Sequence, residues 1–240
     1  MHQLQIGDLA VNVVRKDIRN VHLAVLPPDG QVRVAAPLRV GDEAVRLLVA
    51  TRRAWIRQQQ AKFAGQARET PREYLSGESH YYAGRRYRLV VHYEPGPARI
   101  EVRGTSYLDM YVRLGATTEQ RATVLREWYR EQLKEQLPAL VTKWEAVVGE
   151  HAGAYAIKHM KTKWGTCNIA ARRVWLNLEL AKKPVRCIEY VLVHELTHLL
   201  ERNHNERFRA LLDKFMPQWR VYRSELNDGI LAAFEEYGAG

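Results

Sequence analysis

The sequence contains few of the residues that mark unusual protein classes. Only two cysteines, Cys167 and Cys187, occur among 240 residues, and they do not form a CxxC pair. A small disulfide-stabilised scaffold and a CxxC metal or redox motif are therefore excluded. The 15 glycines and 9 prolines are too few for a collagen-like or disordered chain. We expect a folded globular protein.

Apolar runs are also short. Nowhere do about 18 apolar residues follow one another, so the sequence predicts no transmembrane helix. The first ten residues include Asp8 and lack an apolar segment followed by a small-residue cleavage site, so they do not resemble a secretory signal. Together with the few cysteines, this predicts a cytoplasmic protein without a membrane partner.

Acidic residues are the minority among the charged ones. The 37 Lys and Arg against 27 Asp and Glu give a net charge of +10. Clustered cations favour binding to phosphates, but no block of five or more like charges occurs. A solvated basic surface is therefore the favoured interpretation.

The alternative interpretation of this positive charge is weak nucleic-acid binding. Tyr81, Tyr82 and Tyr87 alternate with arginines and could stack on unpaired bases. The basic residues considered for this surface are Arg15, Lys16, Arg19, Arg33, Arg52, Arg53, Arg57, Arg85, Arg86 and Arg88.

The first part of the chain reads as a β-rich module, residues 1–115. Alternating apolar residues in 11–36 predict a β-hairpin with its turn at Pro27–Gly30. Apolar residues at helical spacing predict one helix from Asp42 to about Phe63. Residues 65–79 look irregular, and three short strands are predicted at 86–93, 98–103 and 108–114.

The second part, residues 116–240, has a different organisation. Thr117 or Thr118 caps a predicted long helix to about Val148, with a kink expected at Pro138. A strand over 174–180 and a helix over 184–200 follow. Asn203 and Glu206 resemble a capping box that opens the final helices. The fold class predicted for the whole chain is α+β.

The strongest functional signal lies in the predicted helix 184–200. His194 and His198 are four residues apart, in the pattern HExxH, so both imidazoles can reach one zinc ion from one helix face. Glu195 sits beside the first histidine, where its carboxylate can act as general base toward a zinc-bound water.

A third histidine completes a ligand set for one Zn²⁺ ion. His204 follows His198 after five residues, a spacing that lets the chain turn at the helix end and return to the metal. Asp213 or Glu225 could supply a carboxylate ligand instead, although neither lies in a convincing motif.

These residues resemble the YgjP-like zinc metallopeptidase family and, more distantly, the SprT-like and WLM metallopeptidases. The resemblance rests on HELTHLLERNHNERF from His194 to Phe208, on KTKWGTC from Lys161 to Cys167, and on Met216-Pro217. It implies a compact zincin-like catalytic domain with His194, His198 and His204 as metal ligands and Glu195 as base.

Two departures from related patterns are visible. The family usually has Ser where this chain has Thr166, which keeps the hydroxyl. Metzincins have Gly where this chain has Glu201, so a metzincin is disfavoured. Asn203 is expected to supply the turn through a left-handed conformation.

Several residues near the predicted metal are candidates for other roles. Trp164, Gly165 and Thr166 form a predicted substrate-binding strand, because zincins commonly hold the substrate backbone by strand addition. The alternative is that Trp164 packs in the core and Gly165 permits a bulge. Packing roles are favoured for the other candidates. They are Cys167 as a metal ligand, Met216 beneath the metal, and Tyr190, Tyr222 or His159 as donors to an oxyanion.

The sequence thus predicts a zinc-dependent metallopeptidase that hydrolyses protein or peptide substrates with a zinc-bound water activated by Glu195. The alternative is a nucleic-acid-associated zinc protein whose proteolysis is weak or conditional. The intact Glu195 argues against an inactive domain, and a structural zinc site would need four protein ligands.

Overall fold

The computed structural model describes residues 2–26, 29–65, 72–160 and 163–227. The chain divides into two compact units, Met1–Thr70 and Pro71–Gly240. Each unit has its own cluster of buried apolar side chains.

The first unit is built on a four-stranded sheet of order β1-β2-β4-β3. Its strands are β1 (His2–Ile6), β2 (Leu9–Lys16), β3 (His22–Leu26) and β4 (Gln31–Pro37). Strands β3 and β4 pair antiparallel, which confirms the predicted hairpin, whereas β2 pairs parallel to β4. Pro27 and Pro28 of the predicted turn lie outside the described residues.

Two helices pack on this sheet where one was predicted. They are α1 (Asp42–Thr51) and α2 (Arg53–Gly65). The break lies at Arg52, whose φ of −100° and ψ of 9° depart from helical values. Val45, Val49 and Ile56 are fully buried. They belong to the same core as alternate valines of β2 and β4, because side chains on a strand alternate between the two faces.

The second unit begins with a four-stranded sheet of order β5-β6-β8-β7. Three strands were predicted with small boundary differences, and β5 was not predicted. They are β5 (Ser79–Tyr82), β6 (Arg85–Tyr93), β7 (Arg99–Arg103) and β8 (Tyr107–Val112).

The long helix α3 (Thr118–Val148) follows this sheet. Thr117 caps it in a capping box with Gln120, as two reciprocal hydrogen bonds show. The helix is continuous through Pro138 and ends at Gly149, whose φ is 78°. The predicted start and end are confirmed, and Pro138 does not divide the helix.

A second, three-stranded sheet and three helices complete the unit. The sheet has the order β10-β11-β9, with β9 (Ala154–Lys158), β10 (Gly165–Asn168) and β11 (Arg173–Asn177). The helices are α4 (Val185–Thr197), α5 (Glu206–Phe215) and α6 (Trp219–Asn227).

Two predicted boundaries in this region differ from the structure. Strand β11 ends at Asn177 rather than at residue 180, because the Asn177 side chain caps a short 3-10 helix, Leu178–Lys182. Helix α5 is capped by Asn205, which accepts a hydrogen bond from the Phe208 backbone, and not by Asn203.

The predicted boundary between residues 115 and 116 does not coincide with the boundary between the units. Leu89 and Leu108 of the β5–β8 sheet share one core with Leu133 of α3 and Leu192 of α4. The sheet therefore belongs to the second unit, which starts at Pro71. Among the described helices, none combines the length and the hydropathy that crossing a membrane requires.

Candidate metal centre

Helix α4 contains His194 and Glu195 and ends just before His198. His194 is 2% exposed and Glu195 is 1% exposed. His198 is the C-cap of the helix and is half-buried. Positions four apart lie on the same face of a helix, so the two imidazoles point in one direction. Their ring centroids are 5.0 Å apart.

A short turn brings His204 back to this face. Helix α4 ends at Thr197, and the Leu200 and Glu201 backbone N–H groups of the following turn both donate to the Thr197 carbonyl at 3.0 Å. Asn203 does not adopt the predicted left-handed conformation, since its φ is not positive. The turn is instead closed by the Glu201 carboxylate, which accepts a hydrogen bond from the Asn203 backbone N–H at 3.0 Å.

The three histidines converge on one point. One ligand nitrogen from each lies within 4.8 Å of the others, and the Nε2 atoms of His194 and His204 are 3.0 Å apart. Nitrogens bound tetrahedrally to zinc lie about 3.4 Å from one another, so the cluster needs only small shifts to hold the ion. His198 Nδ1 donates to the Glu201 carbonyl at 3.2 Å, which leaves its Nε2 to face a metal.

An aromatic side chain forms the floor of this cluster. The Phe208 ring lies 5.0 Å from the ring of His194, 4.7 Å from that of His198 and 4.8 Å from that of His204. Tyr190 contacts His194 edge-on at 5.9 Å. Packing against these rings restricts the imidazole orientations and limits the access of water.

Burial keeps the histidines in the form that binds metal. It lowers the pKa of His194 well below its ordinary value and lowers that of His198. Burial and the neighbouring His198 lower the pKa of His204 to about 4. Metal ligation requires neutral imidazole, so the lowered pKa values leave the three side chains able to coordinate a metal near neutral pH.

Strand β10 lies directly against Glu195. A Cβ atom at Gly165 would be 2.7 Å from Glu195 Oε1 and 2.8 Å from Val191 Cγ1. Only glycine therefore allows this separation between strand and helix. Cys167, two residues along β10, is held as a neutral thiol: burial, followed by the Glu195 charge, raises its pKa to about 11.

The predicted substrate-binding residues differ in position. Trp164 is fully buried, and its Nε1 donates to Asn227 Oδ1 at 3.2 Å. Its side chain packs in the core, and the predicted substrate-binding role of this segment, which would use the strand backbone, stays a prediction. Gly165 is buried as well, whereas Thr166 is half-buried and lines a cleft.

This cleft has a volume of about 910 Å³ and runs from β10 to the end of α4. Strand β10 is at the edge of its sheet. The cleft thus extends from the edge strand β10 to His198, one of the candidate metal ligands. Its lining includes Thr166, Ile169, Trp175, His198, Leu200 and Arg202.

The alternative metal ligands are engaged elsewhere. Asp213 accepts hydrogen bonds from Trp219 Nε1 and Arg220, and Glu225 pairs with Arg186. Neither carboxylate joins the histidine cluster that the structure brings together. Met216 is buried in the core of the unit.

Of the candidate oxyanion donors, Tyr190 is buried and stacks on Trp219 at 6.3 Å. His159 has a side chain that is 56% exposed and lies 3.7 Å from Glu179. Tyr222 is half-buried on α6. Arg223 of the same helix, a cation that lowers the pKa of both His194 and His204, was not among the residues predicted for the site. No motif marks it.

The arginines considered for nucleic-acid binding do not all belong to one unit, and several are paired with carboxylates. Arg15 pairs with Asp42, and Arg53 and Arg57 pair with Asp8. Residues 85–88 belong to the second unit, whereas residues 15–57 belong to the first. Tyr87 is buried, and the Tyr82 ring packs on Trp128, so neither tyrosine offers an open face. Nucleic-acid binding stays an untested prediction.

Three imidazoles converge beside a buried glutamate of helix α4. This arrangement is typical of a metallopeptidase site. The profile of the YgjP-like metallopeptidase domain matches residues 19–229. The chain belongs to this family.

The similarity to a solved structure is weaker than this family match. The crystal structure of the metallopeptidase zymogen of Pyrococcus abyssi abylysin is similar over 37% of this chain and 90% of that chain, with 17% identity and a TM-score of 0.35. No curated protein matches the sequence significantly.

Proposed function

We propose that this protein is a zinc-dependent peptidase, with one Zn²⁺ held by His194, His198 and His204. The observation that carries this proposal is the convergence of the three imidazoles within 4.8 Å, next to the buried Glu195. Three neutral nitrogens with an open fourth position are the donor set of catalytic zinc sites. A bound zinc ion would lower the pKa of a coordinated water and polarise the scissile carbonyl.

Glu195 supplies the proton transfers in this proposal. Its carboxylate accepts a proton from the attacking water and then donates it to the leaving amine. Burial against Gly165 and Val191 holds the side chain in place, which supports this role because a general base must be positioned before it reacts.

The substrate is proposed to lie along strand β10. An extended peptide can add to the edge of a sheet through backbone hydrogen bonds, and β10 is an edge strand. Thr166 lines the cleft beside it, and His198 lies in the same lining. A peptide in this position would pass the histidine cluster, which favours unfolded chains over compact proteins as substrates.

The cellular location is also part of the proposal. Cys167 and Cys187 are free thiols. Free thiols are expected in a reducing compartment, and this supports a cytoplasmic protein.

The proposal is tested by measuring metal content and hydrolysis on the same preparation. We expect about one zinc per chain by elemental analysis and cleavage of an unfolded protein such as reduced casein. Chelation should remove both, and added Zn²⁺ should restore both. Cleavage that survives complete removal of metal would contradict the proposal, as would a chain that binds no zinc.

A further inference from the structure

Glu201 occupies the centre of the turn that joins His198 to His204. Its side chain is 14% exposed, which is low for a carboxylate in a surface turn. The Arg207 guanidinium is 3.9 Å away and exposed, so this ion pair contributes little. The burial of Glu201 therefore calls for other partners.

The partner of the carboxylate comes directly before His204 in the chain. Glu201 Oε1 accepts a hydrogen bond from the Asn203 backbone N–H at 3.0 Å. The Asn203 backbone N–H and, to a smaller degree, the Asn205 side chain lower the pKa of the Glu201 carboxyl. The Asn205 backbone N–H also donates to the Asn203 carbonyl at 2.8 Å. His204 thus lies within a frame made of Asn203 and Asn205, and the Glu201 carboxylate holds this frame at Asn203.

The same frame is connected to the floor of the cluster. Asn205 Oδ1 accepts a hydrogen bond from the Phe208 backbone N–H at 3.0 Å. The Phe208 ring then packs on all three histidine rings. A displacement of Asn205 would therefore move both His204 and the ring on which it rests.

We propose that the Glu201 carboxylate is a positioning residue for the metal centre: it folds the 201–205 turn so that His204 meets His194 and His198. This inference rests on the proposed function, because it assumes that the three histidines bind one metal. The carboxylate replaces the left-handed turn that was expected at Asn203, whose φ is not positive. It acts through His204 and is not itself a metal ligand, and it also lines the cleft that begins at β10.

The test compares zinc affinities of the full-length variants Glu201→Ala and Glu201→Gln by competition with a chromophoric chelator. Loss of a group that orients a ligand lowers metal affinity about 10- to 100-fold, so we expect this loss for Glu201→Ala. The Gln side-chain oxygen can still accept the hydrogen bond from the Asn203 backbone N–H, so Glu201→Gln should stay within about threefold of the wild type. Glu206→Ala, at an exposed carboxylate that starts α5, is the matched control and should bind zinc normally.

A second measurement separates positioning of His204 from general destabilisation. Visible absorption of the Co²⁺-loaded protein reports the geometry and number of ligands. The Glu201→Ala spectrum should approach that of His204→Ala, and the Glu201→Gln spectrum should match the wild type. The double variant Glu201→Ala/His204→Ala should lose much less zinc affinity relative to His204→Ala than Glu201→Ala loses relative to the wild type, because the carboxylate acts mainly through that ligand.

Glu201→Asp covers the case in which the alanine variant does not fold. It keeps the charge but shortens the reach to Asn203, so it should also weaken zinc binding. Wild-type affinity and an unchanged Co²⁺ spectrum in the folded Ala or Asp variant would overturn the inference. An equal loss of affinity with and without His204 would overturn it too. A wild type that binds neither zinc nor cobalt would overturn the proposed function and this inference together.

Discussion

Gly165 and Glu195 are in closest approach where strand β10 crosses helix α4: a Cβ atom at Gly165 would lie 2.7 Å from Glu195 Oε1. The backbone of the proposed substrate strand and the proposed general base are thus in direct contact. Any side chain at position 165 must move either the strand or the carboxylate, because interiors are packed without spare volume.

We therefore predict that Gly165→Ala lowers peptidase activity at least about tenfold and destabilises the protein by about 1–3 kcal/mol. Zinc content should stay near that of the wild type, since the atoms nearest to a Cβ at Gly165 belong to Glu195 and Val191 and not to the histidines. Hydrolysis, thermal unfolding and elemental analysis check the three expectations.

Gly153→Ala is the matched control for this substitution. A Cβ atom there would be 3.6 Å from the Arg172 carbonyl, which is an ordinary contact. Gly153 should tolerate alanine with little change in activity or stability. If Gly165→Ala were as active and as stable as Gly153→Ala, the close contact with Glu195 would have no functional importance.

Removal of the third histidine is predicted to weaken metal binding. His204→Ala leaves two imidazoles, so zinc should dissociate at much lower chelator concentration and hydrolysis should be lost. The comparison uses His159→Ala, because His159 is exposed and outside the cluster. Equal zinc affinities in these two variants would remove His204 from the proposed ligand set.

Asp213 and Glu225 were considered as metal ligands in place of His204, and they provide a further test of the ligand set. Both already bind arginine side chains. Asp213→Asn and Glu225→Gln should therefore retain zinc. Loss of zinc in either folded variant would show that the ligand set differs from the three histidines.

The parts of the site that the sequence predicted are those determined by local geometry. His194, Glu195 and His198 lie within one helix, and the periodicity of α4 is enough to place them on a common face. The position of His204 depends on the turn after the helix. The left-handed conformation predicted for Asn203 was wrong, because the Glu201 side chain closes the turn and no left-handed residue does so.

Pairings between distant segments were beyond local patterns. The parallel pairing of β2 with β4 joins strands separated by β3, and alternation of side chains cannot show which strands are neighbours. The same limit explains the boundary between the units. The β5–β8 sheet looks like the preceding β-rich segment in sequence, but its apolar face packs in the core of the second unit.

The general base is tested by an isosteric change. Glu195→Gln keeps the shape of the side chain but cannot accept a proton, so hydrolysis should fall at least about 100-fold while zinc is retained. Glu206→Gln removes an exposed carboxylate and should remain active. Single-turnover cleavage and elemental analysis on the same samples give the result. Comparable rates in the two variants would exclude Glu195 as the base.

The last prediction concerns the chemistry of the two thiols. Burial, followed by the Glu195 charge, raises the pKa of Cys167 to about 11. Burial, followed by Glu225, raises that of Cys187 to about 12. A thiol with an ordinary pKa near 8.5 is roughly one quarter thiolate at pH 8, whereas one with a pKa of 11 is about 0.1% thiolate.

Because only the thiolate reacts, iodoacetamide should modify both cysteines of the native protein slowly at pH 8, and rapidly after unfolding. The Cys167 rate should rise about tenfold per pH unit from pH 7 to 10 without a plateau, since the raised pKa lies above this window. Ala170→Cys places a reference thiol at an exposed position of the same segment, and its rate should level off near pH 9. Mass spectrometry of peptides separates the sites. A plateau for Cys167 below pH 9, or a sharp acceleration on removing zinc, would indicate a thiolate there, and Cys167 would then have to be considered a metal ligand.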